Sequence, residues 1–310
     1  MRDKNKEKKK AVVSSEKTVD SRRRSKLRKA VIAVIAAAVL VAAAFLILAF
    51  HGEIWYPLFH PAGHGKFPDP VPDDLTEIFR RETAFEDLEK DERAEFNDSL
   101  MLINYLVSIP DDYEPDVTVY NGAVMYPDLV DAYVRLRDDA QAATGTRIFV
   151  SASFRTREEQ MAVMEESEEG VAALPGHSEH EAGLALDVYA PYYAGKTFLR
   201  SKVGRWVNDH CAEYGFVIRY PKGKEDVTGI TYEPWHLRYV GEPHALVMSR
   251  CGLTLEEYVE LLTVERWYQI GDGIYVIRTV KDTVFLPDEW TRATVSPDNL
   301  GQKIVTVWTK

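Results

Sequence analysis

The sequence predicts an α+β protein, in which helices pack around a small, largely antiparallel sheet and one transmembrane helix precedes them. The first observation is an uncharged, mostly apolar run of 21 residues, Ala30 to Phe50, and about 20 such residues span a bilayer as a helix. The second is an alternation of helical and strand patterns over residues 100–264. The third is the strand-like alternation of residues 265–310, which predicts a small C-terminal β appendage.

The segment before the apolar run is basic. Residues 1–29 contain 13 Lys or Arg and 4 Asp or Glu, which gives a charge of +9. By the positive-inside rule this tail is cytoplasmic, so the chain after residue 50 is expected outside the cytoplasm. A cleaved signal peptide is the alternative. The apolar run exceeds the usual length of about 7 to 15 residues, and no small-x-small site precedes His51, so we predict an uncleaved signal anchor at residues 30–50.

The rest of the chain is acidic. The whole sequence carries −11 and residues 1–29 carry +9, which leaves −20 for residues 30–310. Nucleic-acid-binding proteins cluster Lys and Arg, so this charge argues against a nucleic-acid partner. No pattern indicates a protein partner, and the membrane is expected to be reached through the single N-terminal helix.

Residues 51–99 are predicted to form a juxtamembrane spacer followed by a helical stalk. Five prolines stiffen residues 51–72. Residues 73–98 are charged, with a pattern that favours a helix, which would form a stalk or lie on the domain. His60 and His64 lie four positions apart in the spacer. Two imidazoles without further ligands make a poor zinc site, so we interpret both as linker residues.

Several helices can be placed in residues 100–264. One follows apolar positions from Leu129 to Ala143 and ends at Gly145, and a strand follows at residues 148–150. A second runs from Leu199 to Tyr214 and carries His210 on its apolar face, which predicts a core histidine. A third is expected to start at the capping box of Thr254 and Glu257. We expect no ligand role for His177 or His244.

The appendage carries five aromatic residues that could stack on sugars, although packing against the main domain is the favoured interpretation. These residues are Trp267, Tyr268, Tyr275, Trp290 and Trp308. Cys211 and Cys251 are the only cysteines, and an extracytoplasmic location would permit a disulfide between them.

Four residues in two segments have the composition of a catalytic zinc site. The segment Ser178–Asp187 contains His180 and Asp187, and Glu233-Pro234-Trp235-His236 follows about fifty residues later. A hydrolytic zinc takes three protein ligands and keeps one open position. His180, Asp187 and His236 can be those ligands for one Zn²⁺, and Glu233 can be the general base. The alternative is that these side chains are only structural, but Gly183 and the strand pattern of residues 184–189 favour a built site.

These residues resemble the zinc D-alanyl-D-alanine carboxypeptidases, the VanY-like peptidases that trim peptidoglycan stem peptides. The resemblance covers about residues 100–262 and is carried by four segments in the family's order. They are Ser153-Phe154-Arg155 with Gln160, Ser178 to Asp187, Gly215 to Pro221, and Glu233 to Gly241.

The resemblance implies a D,D-peptidase/hedgehog-like fold with His180, Asp187 and His236 as zinc ligands and Glu233 as the catalytic base. It also implies that Arg155, Gln160 and Ser178 bind the substrate, with Arg155 near its terminal carboxylate. The family usually has Ser-Gly-Tyr-Arg-Ser where this chain has Ala152-Ser153-Phe154-Arg155-Thr156, so the arginine is shared.

The position of Arg155 supports this role independently. Thr156 and Glu159 form a capping box, so a helix should begin just after Arg155. A guanidinium beside the positive end of a helix is suited to bind a carboxylate, and a carboxypeptidase must recognise the free chain end. The alternative for Arg155 is an internal salt bridge.

The sequence thus predicts a membrane-anchored zinc D,D-carboxypeptidase that hydrolyses the C-terminal D-alanine of peptidoglycan stem peptides on the outer side of the membrane. One alternative is an L,D-carboxypeptidase acting on tetrapeptide stems, because the resemblance covers both activities. Another is a non-catalytic wall-binding or sensor protein that keeps the fold. The presence of all three ligand candidates and of Glu233 favours the enzyme.

Overall fold

A computed structural model of the chain describes residues 28–45, 56, 63–72, 76–167 and 172–310. The chain forms two compact units, residues 1–51 and residues 52–310. In the first unit, helix α1 (Arg28–Phe45) has a mean hydropathy of 2.1 and exposes all its side chains. Its length and composition suit a membrane span or a signal sequence. The basic tail up to residue 27, residues 46–50 of the predicted span, and His60 lie outside the described residues.

The second unit is a mixed α+β structure, which confirms the α+β part of the predicted fold class. Its strands are β1 (Phe79–Ala84), β2 (Ala94–Phe96), β3 (Thr118–Tyr120), β4 (Ala123–Met125), β5 (Phe149–Ala152), β6 (Ala185–Tyr189), β7 (Phe216–Tyr220), β8 (Glu233–Tyr239), β9 (Trp267–Gly271), β10 (Ile274–Thr279), β11 (Thr283–Pro287), β12 (Arg292–Pro297) and β13 (Lys303–Trp308). Its α-helices are α2 (Phe85–Leu88), α3 (Pro127–Thr144), α4 (Arg157–Glu166), α5 (Lys202–His210), α6 (Glu225–Thr228), α7 (Glu242–Cys251) and α8 (Leu255–Leu261). Short 3₁₀ helices cover Thr76–Ile78, Glu179–Ala182, Gly195–Arg200 and Cys211–Tyr214.

The central sheet has four antiparallel strands in the order β5-β6-β8-β7. One face is apolar and packs on α3 and α5, with Leu186, Val188 and Leu237 in the same core cluster as Leu129 and Val203. Successive residues of a strand point to opposite faces. The neighbours of these apolar residues therefore lie on the other face, where the polar side chains converge.

The predicted helix starts and stops are largely confirmed. Thr156 and Thr254 each cap a helix in a full capping box, and Gly145 ends α3 in the left-handed conformation. The helix predicted from Leu199 to Tyr214 is divided into 3₁₀, α and 3₁₀ segments. Ser201 begins the central piece by accepting a hydrogen bond from the backbone N–H of Gly204.

The prediction of a helical stalk at residues 73–98 is wrong. Apart from a four-residue helix and one 3₁₀ turn, the described part of this segment supplies β1, which pairs with β11, and β2, which lies parallel to β12. Phe79 is buried and stacks on Trp267 with ring centroids 4.1 Å apart. Phe79 thus packs against the C-terminal sheet through Trp267. The charged residues that follow Phe79 are exposed on the two-stranded sheet of β1 and β11.

The C-terminal strands form a five-stranded sheet in the order β2-β12-β13-β10-β9, in which the edge strand β2 comes from residues 94–96. This sheet shares a core with α7 and α8, in which Tyr268, Val276 and Ile304 contact the cluster around Tyr258. Trp267, Tyr268 and Trp290 are buried, as packing against the domain predicts.

The disulfide hypothesis is wrong. Cys211 and Cys251 are both free thiols. Cys211 is buried in the core between the central sheet and α5, whereas Cys251 is half-buried at the end of α7.

Candidate metal centre and catalytic cavity

Two neighbouring strands and one 3₁₀ turn bring the predicted metal ligands together. Asp187 on β6 is directly opposite His236 on β8 in the antiparallel register. His180 lies in the 3₁₀ helix just before β6, and this turn ends at Gly183 with φ 72°. A left-handed residue there reverses the chain into the strand, which favours glycine.

The three side chains form a compact donor set. One ligand atom from each of His180, Asp187 and His236 lies within 4.8 Å of the others. Asp187 Oδ1 is 3.6 Å from His180 Nε2 and 3.1 Å from His236 Nδ1. His180 Nε2 and Asp187 Oδ1 are buried and have no hydrogen-bond partner among the described residues. Buried polar atoms are normally satisfied, so two orphaned donor atoms facing each other indicate a site for a cation. Two imidazoles and a carboxylate are the ligands that Zn²⁺ takes in catalytic sites.

Partners behind the ligands orient the rings. His180 Nδ1 lies 2.8 Å from the carbonyl oxygen of Ser153, which leaves Nε2 free to face Asp187. His236 is reversed, since Nδ1 faces Asp187 and Nε2 lies 3.5 Å from Glu179 Oε2. Burial would raise the pKa of the Asp187 carboxyl, but the two imidazoles outweigh it and hold this pKa well below its usual range. Asp187 is therefore a carboxylate, as a ligand must be.

Glu233 adjoins this donor set. The pairing of β7 with β8 is irregular, because Tyr220 pairs with Glu233 whereas Ile218 pairs with Leu237. Two extra residues bulge from β8, so Glu233 and His236 face the same cavity although they are three positions apart. Glu233 Oε2 lies 3.7 Å from His236 Nδ1. Burial raises the pKa of Glu233 to about 7, and the charge of Asp187 adds to the rise.

The three predicted substrate-binding residues line the same cavity as the donor set. Its volume is about 160 Å³, and Arg155, Gln160 and Ser178 contribute to its walls. The guanidinium of Arg155 donates a 2.7 Å hydrogen bond to Gln160 Oε1 and lies 3.7 Å from Asp187 Oδ2. Gln160 in turn donates to the carbonyl oxygen of Ala173, 2.8 Å away. Arg155 therefore belongs to the site and is held beside the first turn of α4.

The sequence interpretation missed a buried charged cluster behind the site. Glu179 is 1% exposed and accepts hydrogen bonds from Arg219 and Arg238, which are 1% and 0% exposed. Arg219 is the only charged residue of β7, whereas Arg238 shares β8 with Glu233 and His236. A buried charge requires a partner of opposite sign. The single arginine in the apolar pattern of β7 was the available signal for the cluster. Tyr220, which also lines the cavity, packs its ring 4.8 Å from the ring of His236.

The prediction that His210 is a core histidine is wrong. Its side chain is 39% exposed and lies 2.9 Å from Glu213. The ring stacks on Trp206 at the end of α5, where the helix is too short to continue the apolar face.

The two other histidines near the domain core have structural contacts. His177 Nδ1 lies 2.7 Å from the carbonyl oxygen of Asn104. His244 is buried between the hydroxyls of Tyr258 and Thr306, at 2.7 and 3.0 Å. Neither belongs to the donor set.

Comparison with known proteins identifies relatives that are named as carboxypeptidases. The family model of VanY, D-alanyl-D-alanine carboxypeptidase, matches residues 123–242, which include the donor set. A D-alanyl-D-alanine carboxypeptidase of Enterococcus faecium is 31% identical over 59% of this chain and 61% of its own length. The putative carboxypeptidase YodJ of Bacillus subtilis is 34% identical over 52% of this chain and 67% of its own. The chain thus spans about three fifths to two thirds of these relatives.

A solved structure of a D,D-dipeptidase shows a similar fold. The vancomycin-resistance D,D-dipeptidase VanXYg, in complex with a D-Ala-D-Ala phosphinate analogue, has a TM-score of 0.60 and 26% identity over 74% of this chain and 98% of its own. A vancomycin-resistance D,D-pentapeptidase VanY in complex with Zn(II) is 33% identical over 52% of this chain and 98% of its own, with a TM-score of 0.47. From the shared motifs, the family match and these relatives, the chain belongs to the VanY family of D-alanyl-D-alanine carboxypeptidases.

Proposed function

We propose that this chain is a zinc D,D-carboxypeptidase that removes the terminal D-alanine from peptidoglycan stem peptides. The observation that carries the proposal is the set of two orphaned ligand atoms, on His180 and Asp187, with Glu233 beside the third ligand. The D-Ala-D-Ala chemistry in the names of the relatives supports the substrate class. A single zinc ion would be held by His180, Asp187 and His236. When bound at such a site, zinc supplies Lewis acidity that polarises a carbonyl and acidifies a water molecule.

Glu233 is the proton carrier in this proposal. Its pKa of about 7 lets the carboxylate take a proton near neutral pH and give it up again. The oxygen of the attacking water bonds to the carbonyl carbon of the penultimate residue while Glu233 accepts the water proton. The C–N bond then breaks, and Glu233 returns the proton to the amine of the leaving D-alanine.

Arg155 holds the substrate end. A guanidinium binds a carboxylate through two parallel hydrogen bonds, and Arg155 is already restrained by Gln160. The terminal carboxylate would bind between Arg155 and the first turn of α4, where Thr156 is the N-cap and the helix dipole favours a negative charge. Ser178, buried on the cavity wall, would contact the same terminal residue.

In this proposal the apolar helix α1 serves as a membrane anchor, a role that its length and composition support. With the basic tail in the cytoplasm, residues 52–310 would lie on the outer side, where peptidoglycan is found. Fractionation combined with protease treatment of intact spheroplasts tests this topology, because only an outward-facing domain is cleaved.

The activity test follows free D-alanine by mass spectrometry after zinc-loaded full-length protein in detergent is incubated with stem pentapeptide or tetrapeptide. We expect release from the pentapeptide, loss of release in His180→Ala, and retention in Glu181→Gln, which changes a buried carboxylate that is hydrogen-bonded to Gly176 N and Arg157 Nε. Release from the tetrapeptide alone would show L,D specificity. Release from neither substrate by folded, zinc-bound protein would refute an enzymatic role.

A further inference from the structure

A buried carboxylate lies directly behind one of the proposed metal ligands. Glu179 Oε2 is 3.5 Å from His236 Nε2, at ion-pair distance, and both atoms are buried with no hydrogen-bond partner among the described residues. The other oxygen, Oε1, accepts hydrogen bonds from Arg219 Nε at 2.5 Å and Arg238 Nη1 at 2.8 Å. The two oxygens are thus divided, one toward the arginines and one toward the histidine ring.

The arginines are fixed in turn, so the carboxylate cannot turn away. Arg238 donates to the carbonyl oxygens of Ser99 and Met101 at 3.0 and 2.8 Å. Arg219 donates to Glu256 of α8 at 2.6 and 3.0 Å. Two guanidinium groups and two carboxylates balance one another in charge. Their mutual attraction and hydrogen bonds offset the free-energy cost of removing the charges from water.

The two histidine ligands are therefore oriented by different acceptors. The neutral carbonyl of Ser153 accepts from His180 Nδ1, so this ring presents Nε2 to the site. For His236, the Glu179 carboxylate faces Nε2, so the ring presents Nδ1. An acceptor on one ring nitrogen fixes the proton there and leaves the lone pair of the other nitrogen for a metal.

We propose that Glu179 is a positioning residue that accepts the Nε2 proton of His236 and holds its Nδ1 toward the metal site. This inference rests on the proposed zinc site. Glu179 does not contact the substrate. It sets the tautomer and angle of one ligand, and the two arginines hold Glu179 itself in place.

The tautomers of the wild-type protein give a direct test. In ¹⁵N NMR spectra of the zinc-loaded full-length chain with labelled histidine, we expect His236 to be zinc-bound at Nδ1 with a proton on Nε2. We expect His180 to be bound at Nε2 with a proton on Nδ1. Assignment comes from the His180→Ala and His236→Ala spectra. Zinc bound at Nε2 of His236 would overturn the proposal.

Zinc affinity gives the second readout, by competition with a fluorescent chelator. The single side-chain oxygen of Glu179→Gln cannot serve both the arginines and His236, so we expect zinc affinity to fall about 10- to 100-fold. Glu181→Gln is the matched control. Glu181 lies two residues away on the same turn, is buried, and accepts from Gly176 N at 2.7 Å and Arg157 Nε at 3.2 Å. The zinc affinity of the Glu181→Gln variant should match that of the wild type.

Glu179→Asp keeps the charge if the glutamine variant does not fold, as judged by circular dichroism. Aspartate is one methylene shorter and cannot reach His236 and both arginines together, so zinc affinity should again fall. Wild-type affinity in a folded Glu179→Asp variant would overturn the proposal. Absence of zinc binding by the wild type would refute the metal site, whereas zinc binding with the wrong tautomer would refute only the role of Glu179.

Discussion

Replacement of Glu233 by glutamine separates proton transfer from metal binding. The side chain keeps its size but loses its negative charge and, with it, the ability to accept a proton. Glu233 is 8% exposed and its Oε2 lies 3.7 Å from His236 Nδ1, so a glutamine occupies the same space without displacing the ligand. A positioned general base contributes about 10²- to 10⁴-fold to the rate, and we expect kcat to fall by that factor while zinc affinity stays within about twofold of the wild type.

The pH profile of the wild type tests the same role. Burial raises the pKa of Glu233 to about 7, and a cation at the neighbouring ligands would lower it. The base must be deprotonated to accept a proton. The rate kcat/KM should therefore fall about tenfold per pH unit below a pKa no higher than about 7.

The assay follows D-alanine release from pentapeptide between pH 5 and 9, with chelator competition measured on the same preparations. Glu181→Gln should behave as the wild type in both assays. Turnover by Glu233→Gln above one-tenth of the wild-type rate would contradict the assignment of the base, and so would a large loss of zinc.

Three further results are expected. Arg155→Ala should raise KM about 10- to 100-fold for pentapeptide, because a charge-assisted pair contributes about 1.5–3 kcal/mol. With a pentapeptide whose terminal carboxylate is replaced by an amide, the wild type and the variant should have the same KM. Gly183→Ala should destabilise the fold by about 2 kcal/mol or more in urea unfolding, since its φ is 72° and an added Cβ lies 2.7 Å from Val117 Cγ1. The pKa of half-buried Asp128 is raised to about 6 by burial and by Glu95, so this carboxyl opposes folding once it ionises. The thermal stability of the wild type should then decrease between about pH 4 and 6 relative to Asp128→Asn, by on the order of 1 kcal/mol after allowance for exposure, and parallel curves would contradict this account.

The central sheet and its ligands could be predicted because their signals are local. The strand pattern around Asp187 and the cap at Thr156 each lie within about six residues. Hydrophobic periodicity and capping residues can be recognised in sequence segments of that length. The structure brings His180, Asp187, His236 and Glu233 together as expected.

The elements that could not be predicted depend on distant partners. Strand β1 pairs with β11 across some two hundred residues, as in the register of Glu82 with Phe285, so its charged sequence had no local sign of a sheet. Glu179 and Arg238 are 59 positions apart, and each alone resembles an exposed charge. The burial of such an ion pair can be recognised only in the folded structure, where the segments that carry the two charges are adjacent.

The dependence of activity on zinc tests the central claim most directly. Full-length protein stripped by a chelator would be titrated with zinc while D-alanine release from pentapeptide is measured. We predict that release is absent without metal, rises in proportion to added zinc, and saturates at one ion per chain. Undiminished release from the stripped protein, or no release at full occupancy of His180, Asp187 and His236, would contradict the account.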